Sequence, residues 1–103
     1  MKRQKHDKYI DCLCERLSDE YDHMLRNVPI YDNRRRKRTL VAEVDILAFK
    51  EEYCDIYEVK CSFRMAKAKK QLDRICRLIS KRTPVKNVFF YCGESGRLLV
   101  VPP

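Results

Sequence analysis

Residues 43–60 read EVDILAFKEEYCDIYEVK, and the fold turns on how this stretch is paired. Two runs, TLVAEVDILAF at 39–49 and YCDIYEVKCS at 53–62, are rich in β-branched and large apolar residues, which favours strands. Only Lys50, Glu51 and Glu52 lie between them, so an antiparallel hairpin is expected. Side chains alternate faces along a strand, which puts Glu43 with Asp45 and Glu58 with Lys60. A turn centred on Glu51 and Glu52 sets Asp45 opposite Glu58 and Glu43 opposite Lys60. Opposed residues hold their Cβ atoms about 4.5–5.5 Å apart. Two carboxylates that close repel each other in a half-buried sheet, and a hard cation such as Mg²⁺ between them removes the penalty. A lysine beside such a pair can steer an attacking water or stabilise charge developing on a phosphate. The same residues would also suit a solvated hairpin face with Glu43 paired to Lys60. The chemical reading is favoured because Asp45, Glu58 and Lys60 interrupt otherwise apolar strands, where an ionised group is costly unless paired or metal-bound.

Outward from the hairpin, residues 7–21 place Ile10, Leu13, Cys14, Leu17 and Tyr21 at helical spacing. HMLRNVPIY at 23–31 reads as a strand, with Pro29 implying a bulge or an edge, and DNRRRKR after it as a polar loop. Residues 65–81 form an amphipathic helix. Its apolar stripe is Ala68, Leu72, Ile75, Cys76 and Ile79; its wet stripe is Lys67, Lys70, Arg74, Arg77 and Lys81. Thr83-Pro84 ends that helix. VKNVFFYC at 85–92 and RLLVV at 97–101 are strands around a turn from Gly93 to Gly96. The expected order is α-β-β-β-α-β-β, in one domain spanning residues 1–103, without internal repeats.

The chain has 103 residues and 45% apolar residues, enough for one compact core and against a disordered tail or a low-complexity linker. No apolar run approaches the roughly 18 residues of a membrane span, so no membrane association is expected. The first ten residues lack the apolar stretch of a signal peptide, which predicts an intracellular, cytoplasmic protein. The net charge is +8, but unevenly spread. RRRKR at 34–38 is wholly basic; residues 39–63 hold two basic and six acidic residues; residues 64–103 hold ten basic and two acidic. Basic surface attracts nucleic acid by releasing condensed counterions. An acidic centre between basic blocks is what a metal-dependent enzyme acting on nucleic acid needs. The six cysteines form no C-x-x-C pair, and with two histidines they offer no standard zinc spacing; they are expected to be mostly buried free thiols. Arg34, Arg35, Arg36, Lys37 and Arg38 are read as a phosphate clamp, and Lys67, Lys70 and Arg74 as further DNA contacts. No aromatics alternate with these basic residues as stacking platforms, which favours recognition of a duplex or branched backbone over single strands.

Asp45, a spacer of twelve residues, and Glu58-Val59-Lys60 on a hairpin followed by a basic helix resemble the PD-(D/E)XK nuclease superfamily. The small size and the element order are similar to its archaeal Holliday-junction-resolvase branch, and the likeness covers roughly residues 7–92. It implies an α/β, restriction-endonuclease-like α-β-β-β-α-β core, a central mixed sheet flanked by helices. The implied activity is a metal-dependent phosphodiesterase, an endodeoxyribonuclease with Mg²⁺ as cofactor, for which Mn²⁺ substitutes. By this resemblance Asp45 and Glu58 bind the metal, Lys60 helps activate water and Gln71 on the following helix stands near the site. An acid from the first helix completes the set: Asp11 is favoured, with Asp7 and Glu15 as alternatives. Val44 occupies the position of the family's name-giving proline. The implied partners are DNA, duplex or branched, and a second copy in a homodimer, with RLLVV as candidate interface; a viral or archaeal source fits. Two other readings remain open: a non-catalytic DNA-binding module of the same fold, and a nicking or end-processing nuclease of a viral or mobile-element genome.

Overall fold

The computed structural model describes residues 2–34, 36–62 and 65–102, with side chains described for 4–33, 36–62 and 68–102. Helix α1 spans Lys2–Leu17. Strands β1 (His23–Arg34), β2 (Lys37–Lys50) and β3 (Tyr53–Lys60) follow, then α2 (Met65–Ile79), β4 (Val85–Cys92) and β5 (Arg97–Val100). The protein is therefore α/β, with a five-stranded mixed sheet in the order β1-β2-β3-β4-β5. Neighbouring strands are antiparallel except β3 and β4, which run parallel across the α2 crossover.

The centre of the sheet is buried on both faces. Cys54 and Ile56 join Leu72, Ile75, Ile79 and Phe90 in one core, under α2. Tyr57 and Val59 join Ile10, Leu13, Cys14 and Leu17 in another, under α1. This is strand alternation feeding two helices on opposite faces. The apolar stripes expected of both helices supply the two cores.

The β2–β3 hairpin has the expected register: Ile46 pairs with Tyr57 and Lys50 with Tyr53, leaving Glu51 and Glu52 as the turn. Glu51 adopts a positive φ of 55°, as a two-residue hairpin turn demands. Its N–H is taken by the Asp22 carboxylate at 2.8 Å. Pro29 lies on β1, an edge strand, next to a register shift at Ile30/Tyr31.

Two expectations need correction. The first helix ends at Leu17, not at residue 21, because Ser18 to Asp22 is a polar turn. Tyr21 lies beyond it, with its hydroxyl committed to Asp55 and Tyr57. DNRRRKR is not a loop. Its described residues complete β1 and begin β2, with Arg34 paired to Lys37. Ladder hydrogen bonds are backbone bonds, so a charged run can continue a strand wherever the side chains reach water. All six cysteines are free; Cys14, Cys54 and Cys92 are buried, and Cys12 is exposed.

Candidate functional site

The β2–β3 ladder stops at Ile46 and Tyr57. One residue further along β2, the chain turns: Val44 enters the core under α2, whereas Ile46 enters the core under α1. Strict alternation would put both on one face. The residue between them is Asp45, and Asn27, at the corresponding place on β1, has a positive φ of 51°. Asp45 is 5% exposed. Its Oδ2 accepts the Val59 N–H at 2.8 Å. A carboxylate side chain thus takes the place of a strand at the point where β2 and β3 part.

Glu58 is buried beside it, 3% exposed. Its Oε1 lies 3.2 Å from Lys60 Nζ, while Oε2 is buried with no hydrogen-bond partner among the described residues. Burial, and then the Asp45 charge, push the Glu58 carboxyl up to about 8 against the opposing pull of Lys60. A buried carboxyl left half-satisfied next to a second carboxylate is a position that a cation would stabilise. His6, on α1, completes the constellation: its Nε2 lies 2.7 Å from the Val59 carbonyl oxygen and 3.4 Å from Asp45 Oδ2.

The structure thus gathers Asp45, Glu58 and Lys60. It does not bring Asp11 to them: Asp11 is exposed and paired with Arg26. Asp7 and Glu15 are also exposed. The α1 residue at the site is His6. Its spacing of four from Ile10 places it beside the buried helix face, the one signal of it in the sequence. Glu43 faces Pro29 and is exposed rather than paired with Lys60, because the ladder that would oppose them has ended. Gln71 is half-buried on α2. Arg36, Lys37 and Arg38 are exposed at the β1–β2 tip, with the Arg38 guanidinium 4.0 Å over the Tyr31 ring. Lys70 and Arg74 are exposed on α2. Arg35 and the side chains of Arg34 and Lys67 lie outside the described residues.

The third buried acid, Asp55, has another task. It accepts the Tyr21 hydroxyl at 2.6 Å and the Asn87 N–H at 2.9 Å, beside the register shift between β3 and β4. Burial first, then the hydrogen bonds to Asp55 and Tyr57, push the Tyr21 hydroxyl far above its usual range.

Among the described residues, no group of three or more His, Cys, Asp and Glu gathers to hold a metal ion. The donor set is the Asp45–Glu58 pair. That fits Mg²⁺, which commonly takes one or two carboxylates and fills its shell from water and phosphate. Among the described residues, no helix is long and apolar enough to cross a membrane. No model of a known protein family matches the chain, and comparison with curated proteins gives no significant match.

Proposed function

We propose that this chain is a divalent-metal-dependent phosphodiesterase of the PD-(D/E)XK type. Within that class we read it as an endodeoxyribonuclease acting on duplex or branched DNA, with the four-way junction as the first substrate to try. One observation carries the reading. Asp45 and Glu58 are buried together beside Lys60, and one Glu58 oxygen has no hydrogen-bond partner among the described residues. The element order and the parallel β3–β4 pair support it.

Asp45 and Glu58 are the residues that would hold Mg²⁺ or Mn²⁺. When bound, such an ion supplies a water of lowered pKa and offsets charge on the phosphate. Lys60 has a side chain 37% exposed with its Nζ anchored on Glu58, so it can orient a water or meet a phosphate oxygen at the mouth of the site. Arg36, Lys37 and Arg38 at the hairpin tip and Lys70 and Arg74 on α2 would hold the DNA backbone. Cuts on symmetric strands need two copies related by a two-fold axis. Strand β5, a sheet edge with Leu98 and Val100 exposed, is our candidate for their contact; a monomer in sedimentation removes it.

The test incubates the protein with labelled four-way junction, linear duplex and single-stranded DNA in Mg²⁺, Mn²⁺ or EDTA. We expect metal-dependent cuts that fall at least about 10³-fold in Asp45→Asn and Lys60→Ala, while binding in EDTA persists. Junction-selective paired cuts support a resolvase, and cuts in every form support the nuclease alone. Binding without cutting under any metal assigns the protein to the non-catalytic module.

A further inference from the structure

Val59 sits where the sheet loses a rung. In a strand, the N–H and C=O of one residue point to the same side. Those of Val59 therefore both address the gap left where β2 departs, and neither can stay unpaired in a buried strand. The N–H goes to Asp45 Oδ2 at 2.8 Å and the carbonyl goes to His6 Nε2 at 2.7 Å. A carbonyl oxygen only accepts, so His6 Nε2 carries a proton whatever the charge of the ring. The same Nε2 stands 3.4 Å from Asp45 Oδ2. Oδ2 thus accepts the Val59 N–H from β3, with the His6 ring nitrogen of α1 within ion-pair distance of it.

We propose that His6 is the positioning residue of the carboxylate pair: its Nε2, bonded to the Val59 carbonyl and 3.4 Å from Asp45 Oδ2, holds the Asp45 carboxylate in place for a divalent cation shared with Glu58. This rests on the metal-site reading above. His6 contributes no electrons to the cation, since its proximal nitrogen is already a donor. It works through Asp45, as outer-shell hydrogen bonds set the aim of ligating carboxylates. Three residues on, Tyr9 packs on Gly93 just after β4, where an added Cβ would overlap the Tyr9 ring, so α1 is seated closely at this end of the sheet. Helix α1 thereby supplies the site with a donor, where the family resemblance led us to expect an acid.

The test measures binding of Mn²⁺ alone, without DNA, by the loss of the free-ion electron paramagnetic resonance signal. Wild type, His6→Ala, His6→Gln and His6→Asn are compared, with folding checked by circular dichroism. Loss of an outer-shell partner weakens metal affinity by about 10–100-fold, and we expect that loss in His6→Ala. His6→Gln keeps an N–H that can reach the gap and should recover most of it. His6→Asn, one methylene shorter, should not. Mn²⁺ binding by folded His6→Ala equal to wild type overturns the proposal, as does equal weakness of the Gln and Asn variants. Should the Ala variant not fold, the Gln-against-Asn comparison decides alone. If wild type itself binds no Mn²⁺, the metal-site reading falls and takes this role with it, a result distinct from equal binding by wild type and variant.

Discussion

Glu58 is a residue on which burial and charge act together, and the consequence is measurable without any substrate. Its carboxyl is raised from 4.5 to about 8 in the folded protein. Below about pH 4.5 both folded and unfolded chains hold the proton. Between there and about pH 8 the unfolded chain loses it while the folded chain keeps it, so unfolding is progressively favoured. Stability should therefore fall as pH rises through this window, by at most about 5 kcal/mol, and level off above it. Glu58→Gln carries no such proton. Urea titrations in EDTA at pH 5 and pH 8.5 should show the variant gaining on wild type at the higher pH. A constant difference between the two would show that Glu58 is ionised in the folded protein at both values. The sequence made Asp45, Glu58 and Lys60 legible because charged residues inside apolar strands are conspicuous. It did not make His6 legible, since a histidine at a helix's buried edge is chemically ambiguous until the strand gap it fills is seen.

At the scale of elements, the two hairpins were read differently for one reason. The β2–β3 turn has two residues between clearly apolar strands, so pattern and register agree. The β1–β2 tip is basic on both arms, where alternation has no apolar member to reveal it, and the strands extended unseen into the charged run. The β2–β3 turn still carries a local cost, because Glu51 is a non-glycine residue at positive φ. Asparagine tolerates that conformation better, and Glu51→Asn should raise stability by about 0.5–1 kcal/mol in urea denaturation. A loss would mean that the Glu51 side chain has a partner worth more than the relief. The Asp55 network behaves in the opposite sense. Asp55→Ala strips the acceptor from the Tyr21 hydroxyl and leaves the Asn87 N–H unpaired beside the β3–β4 register shift. We expect a loss of about 2–4 kcal/mol, well beyond a surface substitution, read from the same titration. It should be far smaller in Asp55→Asn, which keeps an acceptor. The acidic centre seen in the sequence thus holds two different arrangements: the buried Asp45–Glu58 pair, and Asp55, which clamps the crossover strands.

At the scale of the molecule, charge separates into a buried acidic pair and exposed basic ground. The net charge of +8 is carried in part by the β1–β2 tip and by the wet side of α2. Their contribution to DNA binding should follow the counterion-release law, in which each phosphate contact on a duplex adds about 0.9 to the slope of log affinity against log salt. Replacing Arg36, Lys37 and Arg38 together by glutamine removes up to three such contacts. The slope should drop by about 2–3 when binding of a labelled duplex is followed by anisotropy in EDTA between 50 and 200 mM salt. Arg38 is already stacked on Tyr31, which spares it part of the entropy of ordering on DNA. Among the three single variants, Arg38→Gln should therefore cost the most affinity. The Asp45–Glu58 pair is untouched by this change, so on the proposed function cleavage at saturating protein should persist while binding weakens. An unchanged slope would move the DNA contact off the hairpin tip and onto α2, where Lys70 and Arg74 give the same measurement a second target.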